Sequence, residues 1–228
     1  MGAVNPDTSL GTVVIAIDGP AASGKSTVSR ALARLLGYRF LNSGDLYRAM
    51  TWGCLQHGVD CRDVGAVASV AGQARIEVGC DGVDYFPMID GVDPRDHLRS
   101  EKVVANVSPV SAVPAVRYIL SAAIRAHAQG RQTVVEGRDI GSAVFPETPY
   151  KFYVDAPPQV RQRRRRNQGQ TEEIAKRDLI DSTRSTDPLT IAPGATVIDT
   201  STLDVEGVVA AMVAKLRAQG LVFDGTRR

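Results

Sequence analysis

The amino-acid sequence predicts an α/β fold: a five-stranded parallel sheet flanked by helices, with a small antiparallel β insertion and a helical lid. Three observations carry this reading. Short apolar runs, several ending at an acidic residue, alternate with helical patterns. Gly19 to Ser26 matches G-x-x-x-x-G-K-[ST] between a strand-like stretch and a helix-like one. Two Asp-Gly pairs punctuate a segment of strand character.

The elements follow in order. Thr12 to Asp18 (TVVIAID) is a nearly continuous apolar, largely β-branched run, as expected of a strand buried on both faces. It leads into the glycine-rich loop, after which Val28, Ala31, Leu32 and Leu35 recur at helical spacing until Gly37 supplies a stop. Tyr38 to Leu41 reads as a second strand, and Ser43 opens a helix running to about His57. Arg75 to Gly79, Val83 to Ile89 and a short piece near Val92 are separated by Asp81-Gly82 and Asp90-Gly91, a small antiparallel meander. Thr133 to Glu136, Lys151 to Asp155 and Thr196 to Asp199 are three more strands, with helical patterns at Val113 to Ala128 and Val205 to Leu216. Pro157 to Pro193 is helical in composition, dense in arginine and broken by Gly169, a mobile lid. The whole reads as one domain: a core of about 12–42, 106–156 and 194–223, an insertion of about 43–105 and a lid of about 157–193.

Composition narrows the function classes. With 228 residues, 43% of them hydrophobic, the chain can bury a full core. A net charge of +2 argues against bulk electrostatic binding to nucleic acid. Cys54, Cys61 and Cys80 are odd in number and lack C-x-x-C spacing, which suits a reducing, cytoplasmic setting rather than disulfides or zinc. No apolar leader or membrane-length segment is read, and 1–11 and 224–228 read as loose tails.

The chemistry begins at the loop Gly19, Pro20, Ala21, Ala22, Ser23, Gly24, Lys25, Ser26, Thr27, whose backbone N–H groups and following helix suit a nucleoside triphosphate. Lys25 can reach the outer phosphates and the Ser26 hydroxyl can ligate Mg²⁺. Glu136, at a strand end, is placed to orient the magnesium hydration shell through water. Arg48, Arg117 and Arg138 gather at strand ends and on neighbouring helices, where guanidinium forks suit a site that collects two phosphorylated molecules. In the lid Arg177, Asp181 and Arg184 share one helical face. Four consecutive arginines from Arg163 cannot all face one ligand, so Arg161 and Arg165, at i, i+4, are the pair expected to point at ATP.

The strings IDGPAASGKST at 17–27, NSGDLYR at 42–48 and EGRDIG at 136–141, with Arg177, Asp181 and Arg184, closely resemble bacterial cytidylate kinases. The motifs stand in family order over most of the chain, and the meander is similar to the family's enlarged nucleotide-binding insertion. The resemblance implies transfer of the ATP γ-phosphoryl group to CMP or dCMP, with Mg²⁺ as cofactor. It places Ser43, Arg48, Arg138 and Arg184 around the acceptor phosphate, Ser108, Arg117 and Asp139 around cytosine, and Arg177 and Asp181 near the ribose. On this reading Lys25, Arg138 and Arg184 are expected to carry the catalysis, which would need positioning and charge neutralisation but no general base, because the acceptor phosphate oxygen is already anionic. The lid departs from the family between Asn167 and Glu173, where it is short. The expected partners are small molecules, with no nucleic acid and no membrane, for a cytoplasmic monomer. A kinase with another acceptor (UMP, AMP or a small metabolite) is the alternative; a GTP switch lacks its N-K-x-D segment, and a nucleic-acid-dependent ATPase lacks interleaved aromatics.

Overall fold

β1 (Val13–Asp18) lies between two parallel neighbours, β5 (Gln132–Gly137) and β6 (Lys151–Asp155), which is why both of its faces are apolar. Val14 and Ala16 enter one core cluster while Ile15 and Ile17 enter the other, the alternation a strand imposes. Beyond these run β2 (Arg39–Asn42) on one side and β7 (Thr196–Asp199) on the other, all parallel. The structure, a computed structural model, describes residues 11–167 and 174–223, with backbone alone at 174, 176 and 177. The tails and the short lid stretch 168–173 lie outside the described residues, Gly11 apart.

The sheet has seven strands rather than the expected five, in the order β3-β4-β2-β5-β1-β6-β7. The five parallel strands are those read from the sequence. The meander, β3 (Ile76–Asp81) antiparallel to β4 (Asp84–Ile89), adds the other two by joining the edge of β2, with Phe40 opposite Asp84 and the Phe40 amide donating to Val83 O at 2.8 Å. This pairing covers hydrogen-bonding groups that a bare β2 edge would leave open.

Helices cover both faces. α1 (Lys25–Leu36) and α8 (Val205–Ala218) bury Val28, Leu32, Met212 and Leu216 against Ile15, Phe40 and Phe152. α2 (Ser43–Gln56), α3 (Val64–Gln73), α4 (Glu101–Ala112) and α5 (Pro114–Ala128) cover the opposite face through Leu46, Val67, Val107 and Leu120. α3 was not anticipated, although Asp63 caps it by accepting the Ala66 amide at 3.0 Å. α4 was not anticipated either: it continues through Pro109, and the expected boundary near residue 105 falls inside it. The segment expected to form the lid contains α6 (Pro158–Asn167) and α7 (Ile174–Thr183).

Candidate active site

The carboxyl ends of β1, β2 and β5 open into one cleft of about 610 Å³. Parallel order decides this placement, because each of the parallel strands delivers its following loop to the same edge of the sheet. After β1 the chain turns at Gly19, where a Cβ would stand 2.1 Å from Val154 O, so only glycine lets the loop pass this close to β6. α1 then begins at Gly24 without a side-chain cap and without an acidic residue in its first turn. Gly24 and the helix's first residues Lys25, Ser26 and Thr27 line the cleft, and a helix N-terminus placed there suits an anion.

Three loop-side groups meet here. Lys25 is 4% exposed; its ammonium donates to Pro20 O at 2.8 Å and lies 3.9 Å from Glu136 Oε1. Ser26 Oγ donates to the same Glu136 oxygen at 2.9 Å. Glu136 reaches this point because β5 runs beside β1 with Ile17 opposite Glu136. Its other oxygen, Oε2, is buried and has no hydrogen-bond partner among the described residues. A serine hydroxyl, an orphan carboxylate oxygen and a nearby ammonium are the donor set that a hydrated magnesium ion with attached phosphates would use.

The facing half is built by α2, α4, the turn after β5 and the lid. Ser43 Oγ sits where a Cβ on Gly137 would come within 2.6 Å of it, so the glycine permits β5 and α2 to meet. Arg48 donates to Asp45 Oδ1 at 3.0 Å, and Arg99 donates to the same oxygen at 3.1 Å. Arg138 Nε donates to Asp181 Oδ2 at 2.9 Å. Burial works against the Arg138 charge, but Asp181 and Glu136 outweigh it and hold its pKa above the usual guanidinium value. Arg184 Nη2 donates to Asp139 Oδ1 at 3.0 Å, and Asp181 lies 3.9 Å away. For Arg184, burial and the neighbouring Arg117 together lower the pKa.

Asp139 is shared, its second oxygen accepting from Arg117 Nη2. Arg117 is 1% exposed and stands behind Asp139 rather than on the cleft wall, held also by Asp187 at 3.1 Å and by Ser111 O at 3.2 Å. Burial opposes its charge, and Tyr47 and Asp139 more than restore it. Ser108 lines the cleft from α4, as does Ser111.

Most expected site residues therefore converge: Ala21, Ala22, Gly24, Lys25, Ser26, Thr27, Ser43, Arg48, Ser108, Glu136, Arg138, Asp139, Arg165, Asp181 and Arg184 all line the one cleft. Gly19, Pro20 and Ser23 belong to the same loop but are buried and do not line the cleft. The side chain of Arg177 lies outside the described residues. Arg161 does not reach the cleft. It donates to Ala156 O at 2.9 Å and Ala21 O at 3.1 Å and pairs with Asp178, tying the lid base to the outer side of the glycine-rich loop. The arginine that accompanies Arg165 is instead Arg164, which donates to Ser23 O at 3.1 Å and to Thr200 O at 2.7 Å. Spacing of i, i+4 predicts a shared helix face but cannot say how that helix is rotated on its support. Arg99, Tyr47 and Thr200 also line the cleft unanticipated. Tyr47 and Arg48 stand side by side on α2, so the NSGDLYR string held the signal for the first.

A family model described as Cytidylate kinase matches residues 15–218. The chain is 44% identical over 203 residues to a cytidylate kinase of Mycobacterium avium, covering 83% of this chain and 88% of that protein. It is 41% identical over 217 residues to a cytidylate kinase of Caldanaerobacter subterraneus, covering 90% and 95%. Among solved structures, a shikimate kinase from Acinetobacter baumannii in complex with shikimate aligns over 95% of this chain and all of its own (100%), at 16% identity and a TM-score of 0.48. A match across nearly all of the chain, with identities above 40% in two bacterial relatives, places this protein in one family: the chain belongs to the cytidylate kinases.

Proposed function

We propose that this chain transfers the γ-phosphoryl group of ATP to CMP or dCMP, giving ADP and CDP or dCDP. The observation that carries the reading is one cleft lined both by the glycine-rich loop and by Arg48, Arg138 and Arg184, in a cytidylate kinase chain. The triphosphate would lie along residues 19–27, with Lys25 at its outer phosphates and Arg164 and Arg165 at the lid side. The CMP phosphate would take Ser43, Arg48, Arg138 and Arg184. Cytosine would face Asp139 and Ser108, with Arg117, expected at the base, instead holding Asp139 from behind, and the ribose Arg177 and Asp181.

Ser26 would hold Mg²⁺ directly and Glu136 through water, which the unpartnered Glu136 Oε2 supports. Bound magnesium would offset charge on the donor phosphate oxygens. In the transfer an acceptor phosphate oxygen bonds to the γ-phosphorus as the bond from that phosphorus to the β-phosphate oxygen breaks. No proton need move, so no general base is required. The chain's own task is to bring two polyanions together, which the arginines do by replacing lid and core carboxylates with phosphate oxygens as partners. We further read 43–105 as the acceptor insertion and 157–193 as the lid of one domain, acting as a monomer.

The test is a coupled assay of ADP formation with CMP, dCMP, UMP, AMP or no acceptor. CMP and dCMP should be used at least about tenfold more efficiently than the others, equivalent to about 1.4 kcal/mol. A better rate with UMP or AMP would overturn the acceptor assignment.

A further inference from the structure

Asp18 ends β1, immediately before the glycine-rich loop, yet it does not line the cleft and is 3% exposed. Its two carboxylate oxygens are spent on another part of the chain. Oδ1 accepts the Ile140 amide at 2.8 Å and Oδ2 the Gly141 amide at 2.7 Å. These residues open a π-helical turn, Ile140–Val144, that directly follows Arg138 and Asp139. The turn's own bonds run from the Ala143, Val144 and Phe145 amides back to Asp139 O and Ile140 O, so none of them uses the Ile140 or Gly141 N–H. Both residues are buried, so without Asp18 these donors would lose their acceptor in a dry place.

We propose that Asp18 is a positioning residue for the acceptor nucleotide: it caps the turn after β5 from the neighbouring strand and so holds Arg138 and Asp139 opposite the glycine-rich loop. The idea rests on the phosphotransfer reading above. Two converging N–H donors call for an acceptor-only group, which the carboxyl is once ionised; an amide would present its NH₂ to one of them. The charged groups facing Asp18 are Lys25 on α1, which favours its ionised form, and Asp139, which opposes it. On the flanking strands the register places Gly137 and Tyr153 beside it, the latter with a phenol raised by burial. Lys151, whose side chain passes Gly141, is committed to Pro146 O at 2.7 Å.

Asp18→Asn keeps size and removes one acceptor. Assayed at pH 8, it should raise KM for CMP by about tenfold or more and narrow the CMP-to-UMP ratio, while KM for ATP stays within about threefold. An equal rise in both KM values would mean general damage to the loop, and unchanged values would mean no role; either overturns the proposal. If this variant does not fold, Asp18→Ser, which keeps one acceptor oxygen, is measured in its place. Amide hydrogen exchange in the wild-type protein supplies a test that needs no variant. Slow exchange at Ile140 and Gly141 is expected, and rapid exchange there would refute the cap. A wild-type protein inactive on CMP would sink the phosphotransfer reading alone, with exchange still deciding the cap.

Discussion

Asp139→Asn separates base recognition from support. Asp139 is 4% exposed and accepts from Arg184 through one oxygen and from Arg117 through the other. Removing one partner of a buried ion pair typically costs about 3–5 kcal/mol. Asparagine retains one acceptor oxygen, and Asp187 and Ser111 O still hold Arg117, so the cost should fall to about 2–3 kcal/mol. For a domain of this size that lowers Tm by about 5–10 °C. Activity must therefore be measured well below the new midpoint. Cytosine offers an amino donor where uracil offers a carbonyl acceptor, and a carboxylate has lone pairs to spare for it beyond the two arginines. With the charge gone and an NH₂ in its place, the CMP-to-UMP ratio of kcat/KM should narrow by at least about tenfold, or about 1.4 kcal/mol. Steady-state kinetics on both acceptors gives the ratio, and a melting curve gives the support term. An equal loss on both substrates would refute base reading and leave Asp139 as a clamp on two arginines.

Lys25→Met should lower kcat by at least about 10²-fold with a smaller change in ATP affinity, because the ammonium matters most to charge developing in transfer; activity within tenfold of wild type would remove the loop from the mechanism. Arg164→Ala and Arg161→Ala should diverge. The first should raise KM for ATP by about tenfold, and the second, which breaks a buried ion pair away from the cleft, should lower Tm by several degrees while leaving KM for ATP within about threefold; matching effects on KM would argue against the assignment of Arg164 to the cleft wall. Stability should also depend on Asp18. Burial raises its pKa from 3.8 to about 7, with the backbone amides and Lys25 only partly opposing the shift. The folded state then holds a proton that the unfolded state releases, so this group's contribution is full below about pH 4 and is lost as pH rises through about 7. Chemical denaturation of wild type and Asp18→Asn should show the wild type losing ground relative to the variant by more than about 1 kcal/mol between pH 4 and pH 7.5; a constant difference would show that Asp18 does not titrate there.

The parts legible in the sequence are those governed by short-range geometry. The G-x-x-x-x-G-K-S string sets its own backbone path and helix start, so the places of Lys25 and Ser26 follow from spacing. The β1 run declared a strand buried on both faces, and the Asp81-Gly82 pair declared the hairpin between β3 and β4. Tertiary structure decided the rest. Which of two edges the hairpin joins depends on β2 needing a partner, and that made the sheet seven strands wide. Whether Arg161 or Arg164 faces the cleft depends on how α6 docks on Ala21 and Ser23, far away in the chain. Arg117 reads on the sequence as a site arginine expected beside the base, but the fold puts it behind Asp139 at 1% exposure. The cap from Asp18 to Ile140 and Gly141 joins residues more than a hundred positions apart, by hydrogen bonds that exist only once β1 and β5 lie in register. Local sequence can name a turn, a strand or a phosphate loop because neighbours in the chain determine each; it cannot name a partner that only parallel strand order brings within 3 Å.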